Sequence, residues 1–285
     1  MMSRGADPST SILTEPLRQA LDRAQQQINA LVLGKPQEVR LALVALLAGG
    51  HALLEGVPGL GKTLLVRALS QALGCAHARV QFTPDLMPSD ISGHAVFDPK
   101  QERFEIRRGP VFTNLLLADE INRAPAKTQS ALLESMQEQQ VTIEGNSFPL
   151  PPPFMCLATQ NPLELEGTYP LPEAQLDRFL LKVLIGYPSL VDEKRMVAAV
   201  SEGRTAADFD LSQVAQVADP AAVLMLQRRA AAVRVDAAVL DYAVRIVAAT
   251  RAWPGIALAP ELQIEGQSAD DVLHALLAKV DAPRQ

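Results

Sequence analysis

Hydrophobic positions along the chain change period several times, and each change marks an element. Within residues 14–31, Leu17, Leu21 and Ile28 recur at helical spacing among polar residues, which predicts a helix with Thr14 as its N-cap. Gly34-Lys35-Pro36 breaks it, and residues 37–47 form a second, more thoroughly apolar helical pattern. At His51 the helical period is lost. HALLE is a short apolar run that ends in a glycine-rich stretch, and residues 63–73 then return to helical spacing before Gly74 closes them. Further short apolar runs follow at 78–82, 114–119, 154–159 and 179–185, each bounded by turn residues or helical segments. Strands alternating with helices in this way predict an α/β fold whose sheet is parallel and covered on both faces.

Two interruptions read as hairpins. After Asp90-Ile91-Ser92-Gly93, the stretch FDPKQERFEIRRGPVF alternates polar and apolar residues, and QVTIEGNSFPLP at 140–151 does the same around Glu144-Gly145-Asn146. Beyond Gly186-Tyr187-Pro188 the strand signal disappears. Residues 192–202, 220–233 and 236–252 read as helices, with Pro220 at a first helical position, Asp219 as its cap, and Trp253-Pro254-Gly255 ending the last one. The pattern divides the chain into a disordered tail at 1–13, an α/β core at 14–187 and a helical region at 188–285.

Composition narrows the function classes. The 285 residues are 48% hydrophobic and 20% charged, which suits a globular protein with a sizeable core, and the net charge of -6 disfavours a protein that coats nucleic acid or anionic membranes through bulk charge. Cys75 and Cys156 are far apart in apolar contexts and read as buried thiols of a reducing compartment. His51, His77, His94 and His274 show no metal-ligand spacing, so no metal site built from protein ligands alone is expected. The first residues lack the apolar segment of a secretory signal, and the longest apolar run, 41–49, falls short of the roughly 20 residues a spanning helix needs. A cytoplasmic protein without membrane insertion is the expectation.

The candidate chemistry starts at Gly56-Val57-Pro58-Gly59-Leu60-Gly61-Lys62-Thr63. The glycines let successive backbone N–H groups point into one concavity that a phosphate fills, Lys62 reaches the outer phosphates, and Thr63 offers a hydroxyl to Mg²⁺. A preceding strand and a following helix, whose dipole favours an anion, are the context this motif requires. The apolar run Leu115-Leu116-Leu117-Ala118 ends in Asp119 and Glu120, two carboxylates that such a strand carries only when something pairs with them. An acidic strand end by itself is more often a helix cap. Beside a phosphate-gripping lysine, Asp119 is the candidate magnesium ligand and Glu120 the group that polarises the attacking water. The run at 154–159 ends in Gln160-Asn161-Pro162, where Asn161 is placed to orient that water or to form an ordinary turn.

These elements, in this order, resemble an AAA+ ATPase of the MoxR family. The similar text comprises GGHALLEGVPGLGKTLLVRALS, RVQFTPDLMPSDISG, GPVFTNLLLADEINRAPAKTQSALLESMQE and LATQNPLELEGTYPLPEAQLDRF. The resemblance spans about residues 14–256 and implies a P-loop core with a five-stranded parallel sheet, flanking helices and inserted hairpins, followed by an all-α lid. It implies ATP and Mg²⁺ as cofactors, with Gly56, Pro58, Gly59, Leu60, Gly61, Lys62, Thr63 and Leu64 binding nucleotide, Thr63 and Asp119 the metal, and Asn161 acting as first sensor. Arg178, in LDRF, resembles an arginine finger that completes a neighbour's site, against the plainer reading of a surface pair with Asp177. Arg103, Arg107, Arg108 and Arg123 receive no catalytic role. The implied assembly is a ring, usually a hexamer, and the implied partner a protein with a von Willebrand factor A domain; no stable nucleic-acid partner is expected.

The chain departs from the family pattern after TRAWPGIAL. No small-Pro-Arg motif follows to supply a γ-phosphate sensor within the lid; Leu258 onward resembles the end of these proteins instead, as though lid were missing near 256–260. Arg284 lies in a Pro-Arg pair at the terminus and is given no role, while residues 269–279 still read as an amphipathic helix. The implied function is a chaperone-like remodelling or maturation ATPase with weakened turnover. The other readings are a nucleotide-dependent interaction switch with little hydrolysis and, third, a nucleic-acid motor.

Overall fold

A computed structural model describes residues 15–162, 167–201, 211 and 214–252. The expected tail at 1–13, the Thr14 cap, the helix stop at 253–255, the departure near 256–260, the helix at 269–279 and Arg284 lie outside the described residues. The chain forms two compact units, one up to Ala231 and one from Ala232.

In the first unit, α1 (Glu15–Leu31) and α2 (Pro36–Leu47) lead to β1 (Ala52–Glu55), and α3 (Lys62–Leu73) to β2 (His77–Gln81). Next come α4 (Pro88–Ser92), the hairpin β3 (Gly93–Asp98) and β4 (Arg103–Arg108), then β5 (Leu115–Asp119). After a 3-10 turn at Ile121–Arg123 follow α5 (Ala126–Glu138) and the hairpin β6 (Gln140–Ile143) and β7 (Asn146–Pro149). The unit continues through β8 (Met155–Gln160), α6 (Glu173–Leu176), β9 (Leu181–Leu184), α7 (Leu190–Ser201) and α8 (Pro220–Ala231). The regular element described in the second unit is α9 (Ala237–Ala252).

Five strands make one parallel sheet in the order β2-β5-β8-β1-β9. Because side chains alternate across a strand, each central strand feeds two cores. Leu115 and Leu117 of β5, with Leu157 of β8 and Leu54 of β1, bury against α1, α2 and α3. Leu116, Ala118, Cys156 and Leu53 point the other way, toward Leu132, Leu133 and Met136 of α5 and Val141 of β6. Strands buried on both faces must be apolar throughout, which is why they read as continuous runs.

Both hairpins form, the first beginning at Gly93, four residues ahead of the alternating stretch at 97–112, and ending at Arg108. In the second, Ile143 pairs with Asn146 across Glu144-Gly145, both at positive φ, as a two-residue hairpin turn requires. Helix α2 starts at Pro36, one residue before the apolar pattern suggests, because proline is pre-set for a first helical turn. Asp219 caps α8 by accepting the Ala222 N–H at 2.7 Å. Among the described residues, no helix is long and apolar enough to cross a membrane.

Candidate functional site

The sheet order sets the site. With β8 between β5 and β1, the carboxyl ends of these three strands are neighbours, and in parallel sheets ligands collect there. The loop after β1, the carboxylates ending β5 and Asn161 just past β8 therefore meet at one edge. A cavity of about 480 Å³ opens between them.

Pro58, Gly59, Leu60 and Gly61 form one wall, continued by Lys62, Thr63 and Leu64 in the first turn of α3. Gly61 occupies the N-cap at φ 81°, and no side chain caps α3, so its first N–H groups are left for an anion. Gly56 lies at the base of the loop instead of on the cavity wall. A Cβ there would come within 2.5 Å of the Ile185 carbonyl oxygen, so only glycine lets the loop start this close to the chain leaving β9. The Lys62 ammonium donates to the Gly56 carbonyl. Burial pulls its pKa below the ordinary lysine value, while Asp119, Glu120 and Glu55 act in the opposite sense.

Asp119 and Glu120 face the same cavity. The fully buried Thr159 hydroxyl joins them, donating to Asp119 Oδ1 at 2.6 Å and accepting the Glu120 N–H at 2.8 Å. Glu120 sits at φ 57°, ψ 51°, a left-handed conformation costly for a side-chain-bearing residue and held here by Thr159 and the 3-10 turn that follows. Its Oε2 accepts from Gln81 Nε2 at 2.8 Å and from Arg123 Nη1 at 3.1 Å. Arg79 donates to Asp119 Oδ2 through Nη2 at 2.7 Å and Nε at 3.1 Å. Asn161 is buried on the cavity wall.

Arg178 lies elsewhere. It is exposed just after α6, contributes nothing to this chain's cavity and, among the described residues, forms no ion pair with Asp177. Arg123, given no role by the sequence, is on Glu120. Arg79, Gln81 and Thr159 are additions the sequence did not single out. The cavity also has apolar lining, contributed by Leu31, Val32, Leu33, Pro188 and Met196.

Thr63 and Asp119 supply hard oxygen donors to the same cavity, the kind Mg²⁺ takes in small numbers alongside phosphate oxygens and water. Among the described residues no cluster of three or more His, Cys, Asp or Glu side chains is placed to hold a metal. Burial raises the thiol of Cys75 to about 11 and that of Cys156 still further, so both are inert packing groups.

Residues 51–181 match the ATPase family associated with various cellular activities (AAA). The chain is 46% identical to the uncharacterized protein YeaC of Bacillus subtilis over 86% of its own length and 75% of that protein. It is 49% identical to Chaperone MoxR1 of Mycobacterium tuberculosis over 81% of its length, and 35% identical to the MoxR protein of Methylorubrum extorquens over 62%. The chain spans 59% of the first of these two and 52% of the second. A crystal structure of a provisionally named ATPase from Cytophaga hutchinsonii superposes with a TM-score of 0.82 at 33% identity, covering 94% of this chain and 96% of that one.

Proposed function

The chain belongs to the MoxR family of AAA+ ATPases, and on that premise we propose that its cavity binds Mg-ATP and hydrolyses it within an assembled ring to remodel partner proteins. The observation that carries this reading is the convergence of Lys62, Thr63, Asp119, Glu120 and Asn161 on one cavity.

Each group then has a task. The uncapped N–H groups of α3 hold the phosphates, and Lys62 exchanges the Gly56 carbonyl for an outer phosphate oxygen. The nucleoside lies against the apolar lining that includes Leu33 and Pro188. Thr63 and Asp119 hold Mg²⁺, which when bound offsets charge on the phosphate oxygens. Glu120 accepts a proton from a water oriented by Asn161; that water's oxygen bonds to the γ-phosphorus as the bond to ADP breaks. Arg178, exposed and away from its own cavity, supplies positive charge to a neighbour's transferring phosphoryl group. Trans-activation of this kind makes turnover depend on assembly. A hexamer and a client with a von Willebrand factor A domain are the assembly and partner this reading takes from the family, and the chaperone name of the mycobacterial relative supports remodelling as the output.

The engagement of Glu120 by both Gln81 and Arg123 favours a second reading, a nucleotide switch whose base is held back. Phosphate release from Mg-ATP, measured per subunit against protein concentration, separates the two. A rate that rises with concentration and is lost in Arg178→Ala supports the motor. Flat, near-zero release with ATP bound supports the switch.

A further inference from the structure

Lys35 breaks two rules for its position and meets a third only through its partners. N-caps favour short polar side chains, a helix N-terminus disfavours a cation, and a buried ammonium is costly unless paired. Yet Lys35 precedes α2 as its N-cap residue and is only 6% exposed. Its Nζ donates to the Gly186 carbonyl, 151 positions away, and lies 3.6 Å from Glu38 Oε1.

The neighbouring residue makes a second contact across the same seam. Gly34, at φ +72°, leaves space that a Cβ would fill at 3.0 Å from Asp192 Cβ and 3.1 Å from Asp192 Oδ2. Asp192 is itself fixed: the Ser189 hydroxyl donates to its Oδ2 at 2.7 Å and accepts its N–H at 3.2 Å, locking the first turn of α7. Two successive residues of the α1–α2 turn thus clasp the segment that leads from β9 into α7. The apolar residues flanking this clasp in the chain, Leu31 to Leu33 before Gly34 and Pro188 and Met196 around Asp192, all line the cavity, and Lys35 lines it with them.

We propose that Lys35 is a positioning residue for nucleoside recognition: by holding Gly186 it sets the gap between these two apolar groups and ties occupancy of that gap to the placement of α7. The inference rests on the nucleotide reading of the cavity. Lys35 acts through Gly186, so its removal affects ligands with a nucleoside and spares those that are phosphate alone.

The test titrates the full chain calorimetrically with Mg-ADP and with inorganic tripolyphosphate, comparing wild type, Lys35→Met and Gly34→Ala. Lys35→Met is expected to weaken ADP about threefold to tenfold, a part of the free energy of a hydrogen bond to a charged group that also exists without ligand, and to leave tripolyphosphate within about twofold. Gly34→Ala, which presses a methyl on Asp192 from the same turn, is read the same way should Lys35→Met not fold. Equal losses on both ligands, or no loss on either, overturn the inference while leaving the nucleotide reading intact. Wild type that binds neither ligand overturns the nucleotide reading and this inference with it.

Discussion

Arg79 holds Asp119 by two hydrogen bonds to a single carboxylate oxygen, from Nη2 at 2.7 Å and Nε at 3.1 Å. The same Nη2 donates to Gln81 Oε1 at 2.7 Å, and Gln81 in turn donates to Glu120. One guanidinium on β2 thus reaches both carboxylates at the end of β5. Arg79→Met removes a cation that competes with Mg²⁺ for the Asp119 carboxylate. The Arg79 side chain is half exposed, so the pair is screened and worth no more than about 1 kcal/mol. A fall of about threefold to fivefold in the Mg²⁺ concentration that half-saturates ADP binding is expected; a magnesium titration at fixed ADP checks it.

Thr159→Val keeps the shape of a fully buried residue and deletes the hydroxyl shared by Asp119 and Glu120. The Glu120 N–H then loses its acceptor, so stability should drop by about 1–3 kcal/mol. Because the left-handed turn at Glu120 loses its anchor, turnover should fall by more than about tenfold while ADP affinity changes far less. Chemical denaturation and single-turnover hydrolysis read the two effects separately.

Gly56→Ala sets a methyl against a backbone oxygen that no rotamer change can move aside. Overpacking of this kind costs about 1–3 kcal/mol, and the strain is relieved by displacing the start of the phosphate loop. Both the melting temperature and ATP affinity should decrease, in contrast to Lys62→Ala, where affinity falls without a matching loss of stability.

His51 is buried between β8 and the end of α5, accepting the Cys156 N–H at Nδ1 at 3.0 Å with Nε2 3.1 Å from the Met136 carbonyl oxygen. Nδ1 must therefore stay unprotonated, and Nε2 carries the hydrogen. Burial, the larger influence, holds its pKa below the ordinary 6.5, with the Met136 contact opposing. Since the unfolded chain binds the proton first, stability is complete above pH 6.5 and is lost as pH falls from there through the folded pKa, at up to about 1.4 kcal/mol per pH unit. His77 is shifted in the same direction, by burial first and then Arg67. The difference between wild type and His51→Gln across pH 7 to 5 isolates His51, and the variant should show the shallower acid slope.

Much of this architecture is legible in the sequence wherever burial forces it. The run ending in Asp119 and Glu120 is apolar because β5 is covered on both faces, and the glycines after β1 are required by a close approach and by positive φ. Less legible were the residues whose role depends on which strands are neighbours. Arg79 and Gln81 alternate with apolar residues on an edge strand and look like solvated positions. They acquire a role only because β2 pairs with β5 in register, placing Gln81 opposite Asp119. Thr159 was hidden at the end of an apolar run, and Lys35 inside a helix-breaking Gly-Lys-Pro whose partner lies 151 residues on.

Whether Glu120 is the base that activates water is decided by single-turnover hydrolysis of Mg-ATP by wild type and Glu120→Gln, with ADP affinity measured in parallel. Glu120→Gln keeps the shape and the acceptor for Arg123 but cannot take a proton from water. ADP affinity within about twofold of wild type and hydrolysis slowed by about a hundredfold or more are expected. Hydrolysis at the wild-type rate, or a loss of binding that accounts for all the lost turnover, would contradict that role.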